Sequence, residues 1–190
     1  MKTIVFLLEE PSAKEMLEGL LPRILPEGVV TRFLIFKGKQ DLEKNLVGKL
    51  RGWQLPESVF VVMRDQDSGD CETVKANLKE LCRQAGREDA LVRVACRELE
   101  SFYLGELEAV EKGLEITGIS RMQDTSKFRN PDRLGSPATE LERLTRGAYQ
   151  KIAGSRAIGP HLTPGNNRSR SFQVLVEGIL RLAAASSAGA

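Results

Sequence analysis

The chain has 190 residues, 41% hydrophobic and 28% charged, and a net charge of +2. That length supports one domain with a full core, and that balance excludes a disordered chain and reads as a globular, soluble protein. No apolar run approaches the roughly 20 residues that span a bilayer, and the short apolar start reaches acids at Glu9 and Glu10, too soon for a secretory signal. A cytoplasmic protein is expected.

Residues 4–8 form a continuous apolar run, as expected of a strand buried on both faces. Pro11 and a capping-box pattern from Ser12 to Glu15 predict a helix to about Leu25, before Pro26. A second strand is predicted over 29–36 and a helix over 41–50, with Leu42, Leu46, Val47 and Leu50 on one face. A third strand follows over 59–63, a helix over 72–85 stopped by Gly86, a fourth strand over 90–95 and a helix over 98–112. This alternation predicts an α/β fold, a Rossmann-like parallel sheet of about four strands with helices on both faces. Beyond Gly113 the pattern changes. A loop is predicted over 118–137, a helix over 136–152, a Gly, Pro and Asn-rich loop over 154–168 and a last helix over 169–184, with 185–190 fraying. The expected organisation is a core over 1–113 and a helical C-terminal extension over 114–190 packed on it.

In parallel sheets functional groups gather at the carboxyl ends of the strands, and acids cluster there: Glu9 and Glu10, then Arg64-Asp65-Gln66-Asp67-Ser68-Gly69-Asp70, then Glu98 and Glu100. Carboxylates crowded in this way suit a hard divalent cation, Mg²⁺ or Mn²⁺, and phosphate chemistry. Simpler roles compete. Glu10 is explained by the positive end of the following helix, and Asp70 by capping the next one. Asp65 has no such explanation. Only one of Glu98 and Glu100 is needed at a helix start, and their i, i+2 spacing puts them on different faces.

Cys71, Cys82 and Cys96 form no Cys-x-x-Cys pair, so neither a disulfide framework nor a zinc site is expected. His161 is the only histidine, in a Gly-Pro-His loop, which argues against histidine-based catalysis. Trp53, Phe102 and Tyr103 read as core aromatics. Residues 121–190 hold 11 Lys and Arg against 5 Asp and Glu, a charge of +6; the first 120 hold 17 against 21, a charge of −4. From Arg143 to Val176 there is no acid and six bases: Arg143, Arg146, Lys151, Arg156, Arg168 and Arg170. An acidic front and a basic back suit a metal site beside a polyanion track, with nucleic acid as the expected partner.

An acid ending the first strand, an Asp-x-Asp ending a later strand and an acid after the next resemble the Toprim domain of topoisomerases, primases and OLD-family nucleases. More closely, Leu7-Leu8-Glu9-Glu10-Pro11-Ser12, Arg64-Asp65-Gln66-Asp67 and Arg97-Glu98-Leu99-Glu100-Ser101-Phe102-Tyr103-Leu104-Gly105 resemble the DUF4276 family, regarded as Toprim-like. The resemblance implies a metal-dependent endonuclease. Glu9, Asp65, Asp67, Glu98 and Glu100 would be metal ligands, with Glu98 or Glu100 alternatively the base, and Lys151 a match for a late catalytic lysine. It also implies anti-phage defence with a separate ATPase, because the chain has no phosphate loop of its own, and a homodimer is compatible with it. Two positions depart from the pattern: Glu10 stands where Toprim proteins have Gly, and Ala13 where OLD nucleases often have a second acid. These favour an alternative, a non-catalytic Toprim-like subunit that binds a partner. A further alternative is a phosphoryl-transfer or receiver-like domain, but Glu98 stands where such folds want a hydroxyl.

Overall fold

A computed structural model describes residues 2–185. Four parallel strands, β1 (Thr3–Leu8), β2 (Val30–Ile35), β3 (Ser58–Asp65) and β4 (Leu91–Ala95), form one sheet in the order β2-β1-β3-β4. Helices α1 (Pro11–Ile24), α2 (Lys39–Arg51) and α3 (Cys71–Gln84) make the crossovers. The expected α/β fold is therefore the observed one. Side chains alternate across a strand, and each face has its own core. Ile4, Phe6, Leu8, Val61 and Met63 pack with α1 and the C-terminal helices, whereas Val5, Leu7, Phe60 and Val62 pack with α2 and α3. Coverage on both faces is why β1 reads as an unbroken apolar run.

β1 sits between β2 and β3, so the chain leaves β1 towards β2 and then crosses back past β1 to β3, reversing the direction of winding. The crevice beyond the carboxyl ends of β1 and β3 is thus the topological switch point, where open α/β sheets bind ligands.

Three predicted elements differ from the structure. The helix predicted over 98–112 is two, α4 (Glu100–Leu104) and α5 (Leu107–Leu114). Gly105 breaks it, its carbonyl accepting from Arg168 N and its Cα facing Asn167, where a Cβ has no room. The helix predicted over 136–152 stops early, as α6 (Pro137–Leu144), because Arg146 (φ 53°) and Gly147 (φ 80°) turn left-handed. The segment predicted as a loop over 154–168 begins inside α7 (Lys151–Ile158). The loop over 118–137 contains two 3-10 turns, and α8 (Arg170–Ala184) is the predicted last helix, capped by Ser169, whose hydroxyl accepts from Phe172 N. Apart from Ala185, the segment expected to fray lies outside the described residues.

α7 packs on α1 and α5 at near-backbone distance. A Cβ on Gly19 would lie 2.5 Å from Pro160 Cδ and 2.7 Å from Pro160 N, and one on Gly159 2.5 Å from the Met16 carbonyl oxygen. This close seat is at the end of α7 and the turn after it, Arg156 reinforces it on Glu15 at 2.6 Å, and Lys151 at the start of α7 reaches Glu10, just beyond β1, at 2.7 Å. α8 lies against β4, where Gly178 touches Leu91 and Arg93. Among the described residues, no helix is long and apolar enough to cross a membrane.

Candidate active site

β1 ends by delivering Glu9 and Glu10 to the crevice. Glu9 Oε2 accepts from Asp65 N at 3.0 Å and lies 3.8 Å from Arg64 Nε. Burial raises its pKa, partly offset by the Asp65 amide and Arg64. Glu10 is the residue before α1 and Pro11 is its first residue, so Ser12 is not the cap and the predicted capping box does not form. Instead Ser12 Oγ donates to Glu10 Oε1 at 2.6 Å, while Glu10 Oε2 pairs with Lys151 Nζ at 2.7 Å. Glu15, the other half of that box, pairs with Arg156.

Asp65 is the last residue of β3 and is buried. Its pKa is raised well above the usual carboxylate range, first by burial and then by Glu10, Glu100 and Glu9, against which Lys151 is a smaller counterweight. Asp67 turns away from it. In a left-handed conformation (φ 55°), its Oδ2 meets Lys39 Nζ at 3.0 Å and Arg64 Nη2 at 3.3 Å. Arg64 is itself buried and also binds Glu43 Oε1 at 2.6 Å and the Asp65 carbonyl at 2.8 Å. A planar guanidinium with this many donors fixes the whole turn. Asp70 caps α3, its Oδ1 accepting from Thr73 N at 2.9 Å.

Glu98 and Glu100 part company. Glu98 Oε2 accepts from Ala138 N at 2.7 Å, satisfying a free amide at the start of α6. Glu100 is 1% exposed; its Oε1 accepts from Tyr149 OH at 2.8 Å, and its Oε2 is buried with no partner. Burial raises its pKa, with Lys151 and Tyr149 opposing. A buried carboxylate oxygen without a donor costs several kcal/mol unless it is protonated or meets a cation.

Lys151 and Tyr149 arrive on the 145–151 turn. Gly154 has no Cβ, which leaves room for the Tyr149 ring beside α7. Burial alone would lower the Lys151 pKa, but Glu10, Glu100 and Asp65 outweigh it and raise the value overall. Of the sequence candidates, the structure thus brings Glu9, Glu100 and Lys151 around Asp65, leaves Asp67 beside Glu9 but held by Arg64 and Lys39, and directs Glu98 to the start of α6. Glu10 joins the cluster although its sequence context pointed to a helix terminus; the lysine that claims it lies 141 residues away. Tyr149 and Arg64 were equally invisible as site residues. Pro11 was the one local signal, since proline favours the first helical position and so places the cap at Glu10.

The donor set, carboxylate oxygens at a switch point with one unpartnered, fits a hard divalent cation in kind. Among the described residues, no three His, Cys, Asp or Glu side chains are grouped to hold an ion as they stand. Glu10, held by Lys151, and Glu9, held by the Asp65 amide, would have to rotate toward Asp65.

The acid-free stretch is not a row of unpaired cations. Arg143 pairs with Glu140, Lys151 with Glu10, Arg156 with Glu15, Arg168 with Asp124 and Arg170 with Glu177. Arg143 and Arg146 line a 450 Å³ cavity with Arg121, whereas Arg170 borders a different one, near Cys71. A 660 Å³ cavity lined by Leu25, Pro26, Gly28 and Val29 reaches the amino end of β2, away from the carboxylates.

Fold and site together define a parallel α/β protein with a lysine-bridged carboxylate crevice at its switch point. The chain belongs to the DUF4276 family, described as a domain of unknown function, whose model matches residues 8–180. No curated protein and no solved structure matches it.

Proposed function

We propose that this protein is a metal-dependent phosphodiester hydrolase of Toprim type, acting on nucleic acid with Mg²⁺ or Mn²⁺. The observation that carries the reading is Glu100 Oε2, buried and unpartnered within electrostatic reach of Asp65, Glu10 and Lys151. Asp65 with Glu9 or Glu10 would hold the cation. When bound, the cation supplies Lewis-acid stabilisation of phosphoryl charge and lowers the pKa of water. Glu100 Oε2, its basicity raised by burial, accepts the proton of the attacking water. Lys151 leaves Glu10 for a non-bridging phosphate oxygen, so developing negative charge is met by an ammonium already in place. Arg64 and Tyr149 touch no substrate; they orient Asp67 and Glu100. The exposed arginines exchange weak surface pairs for backbone phosphates at little cost. A separate ATPase, as in the anti-phage systems the resemblance suggests, would supply any ATP-driven step.

The second reading is a non-catalytic subunit that binds a partner. It is favoured by the engagement of Asp67 with Arg64 and Lys39, and of Glu98 with Ala138. One experiment separates them: the purified protein is incubated with supercoiled DNA, single-stranded DNA and tRNA, with Mg²⁺ or Mn²⁺, beside a folded Asp65→Ala variant. Cleavage by the wild type alone supports the hydrolase. Equal cleavage by the variant rejects it, and absence of both cleavage and calorimetric Mn²⁺ binding supports the subunit.

A further inference from the structure

We propose that Cys71 and Cys96 are a site of oxidative modification, closing to a reversible disulfide that ties the β3–α3 turn to the β4–α4 turn. β3 and β4 are neighbours in register, with Asp65 opposite Ala95. The parallel sheet therefore brings together residues just beyond both strand ends. Cys71 opens α3 and Cys96 directly follows β4, and their sulfurs are 3.6 Å apart, in contact. Both thiols are half-buried and line a 200 Å³ cavity with Lys75, Arg93 and Arg170.

The backbones around the pair are already joined. Gln66 N donates to the Ala95 carbonyl at 2.9 Å, Asp67 N to the Arg97 carbonyl at 3.0 Å, and Cys96 N to Ser171 Oγ at 3.3 Å. With the sulfurs already in contact, bridging shortens their separation to a bond of about 2.05 Å.

The environment assigns different parts to the two thiols. Cys71 is only half-buried at the start of α3, on the cavity that Lys75, Arg93, Arg170 and Asp132 also line. Cys96 is held protonated, its thiol pushed up to about 12 by burial, by Cys71 and by Asp132. With hydrogen peroxide as oxidant, the Cys71 sulfur attacks one peroxide oxygen, the O–O bond breaks, and sulfenic acid forms, the thiol proton leaving with the departing hydroxide as water. The Cys96 sulfur then attacks the sulfenic sulfur, its proton leaving with the departing hydroxyl as a second water. Two thiols lose two hydrogens in all, and one peroxide becomes two waters. Cys82, buried towards the far end of α3 with its thiol raised to about 11, is the internal control.

The test is intact-mass and peptide analysis of the full chain after graded hydrogen peroxide, with Cys71→Ser, Cys96→Ser and Cys82→Ser beside it. The expected result is loss of two hydrogens and a linked Cys71–Cys96 peptide pair in wild type and Cys82→Ser. Both should be reversed by dithiothreitol, absent in the other two variants, and accompanied by a higher thermal midpoint. Three intact thiols, over-oxidised Cys71 beside free Cys96, or links only between chains would overturn the proposal. The readout is covalent mass, so it stands apart from whether the protein hydrolyses nucleic acid.

Discussion

At the scale of single residues, Asp65 and Asp70 show how one acidic run divides into unlike roles. Asp70 is exposed and caps α3, so Asp70→Ala should lower the urea midpoint by freeing the Thr73 amide and leave metal binding unchanged. Asp65 is buried among like charges, and its raised pKa means the native state keeps a proton to higher pH than the unfolded chain. Stability then falls as pH rises above the unfolded value, about 4 for aspartate, and the penalty is complete above the native value. Asp65→Asn should therefore raise the neutral-pH urea midpoint and flatten the pH dependence, while Glu9 and Glu100, raised in the same direction, keep a residual slope. The opposite shift would refute the like-charge description of the crevice. Tyr149→Phe removes the side-chain donor to Glu100 and should cost about 1–3 kcal/mol, the cost of stranding a buried acceptor.

Elements rather than residues decide whether Lys151 reaches the crevice. α7 is positioned by contacts that only glycines allow, and Gly19→Ala would drive a Cβ into the backbone at Pro160. The expected loss is about 1–3 kcal/mol, typical of overpacking, measured by chemical denaturation. If activity is found, it should fall further than stability alone explains, because Lys151 shifts with the helix. Strands and crossover helices were legible in the sequence because each carries its own periodicity: 4–8 is apolar throughout, and Leu42, Leu46 and Leu50 form one stripe. The breaks at Gly105 and at Arg146–Gly147 were not. A glycine inside an apolar pattern is ambiguous until something packs on it, and here Asn167 does, 62 residues further on. The capping box at Ser12 failed for a related reason. Its pattern was present, but Pro11 had already fixed the cap at Glu10, two residues after β1 ended.

Across the whole molecule, the C-terminal helices complete one face of the sheet. Phe172, Leu175, Val176 and Ile179 of α8 are buried in the same core as Ile4 and Phe6. Burying such a side chain contributes about 1.5–3 kcal/mol, so losing four approaches the entire stability of a domain. A fragment of residues 1–113, or a chain ending at 169, should lack a cooperative unfolding transition; a folded 1–113 fragment would show instead that the core is autonomous. On the proposed function, cation binding would also join separate parts of the molecule, since it would draw on the residues after β1 and on the end of β3. Mn²⁺ at a hundred times its dissociation constant should stabilise the protein by about 2.7 kcal/mol, seen as a rise in the thermal midpoint that Asp65→Asn abolishes.

The sequence by itself determined the parallel α/β sheet, the family and the placing of acids at successive strand ends, because hydrophobic period and strand-end position are local properties of the chain. It could not determine which acids face one another. Only the tertiary structure sent Asp67 to Arg64 and Lys39, Glu98 to the start of α6, and Glu10 to Lys151. Apart from Arg64, three residues before Asp67, those partners are distant in sequence, and the field at a buried carboxylate is set by whatever the fold packs against it.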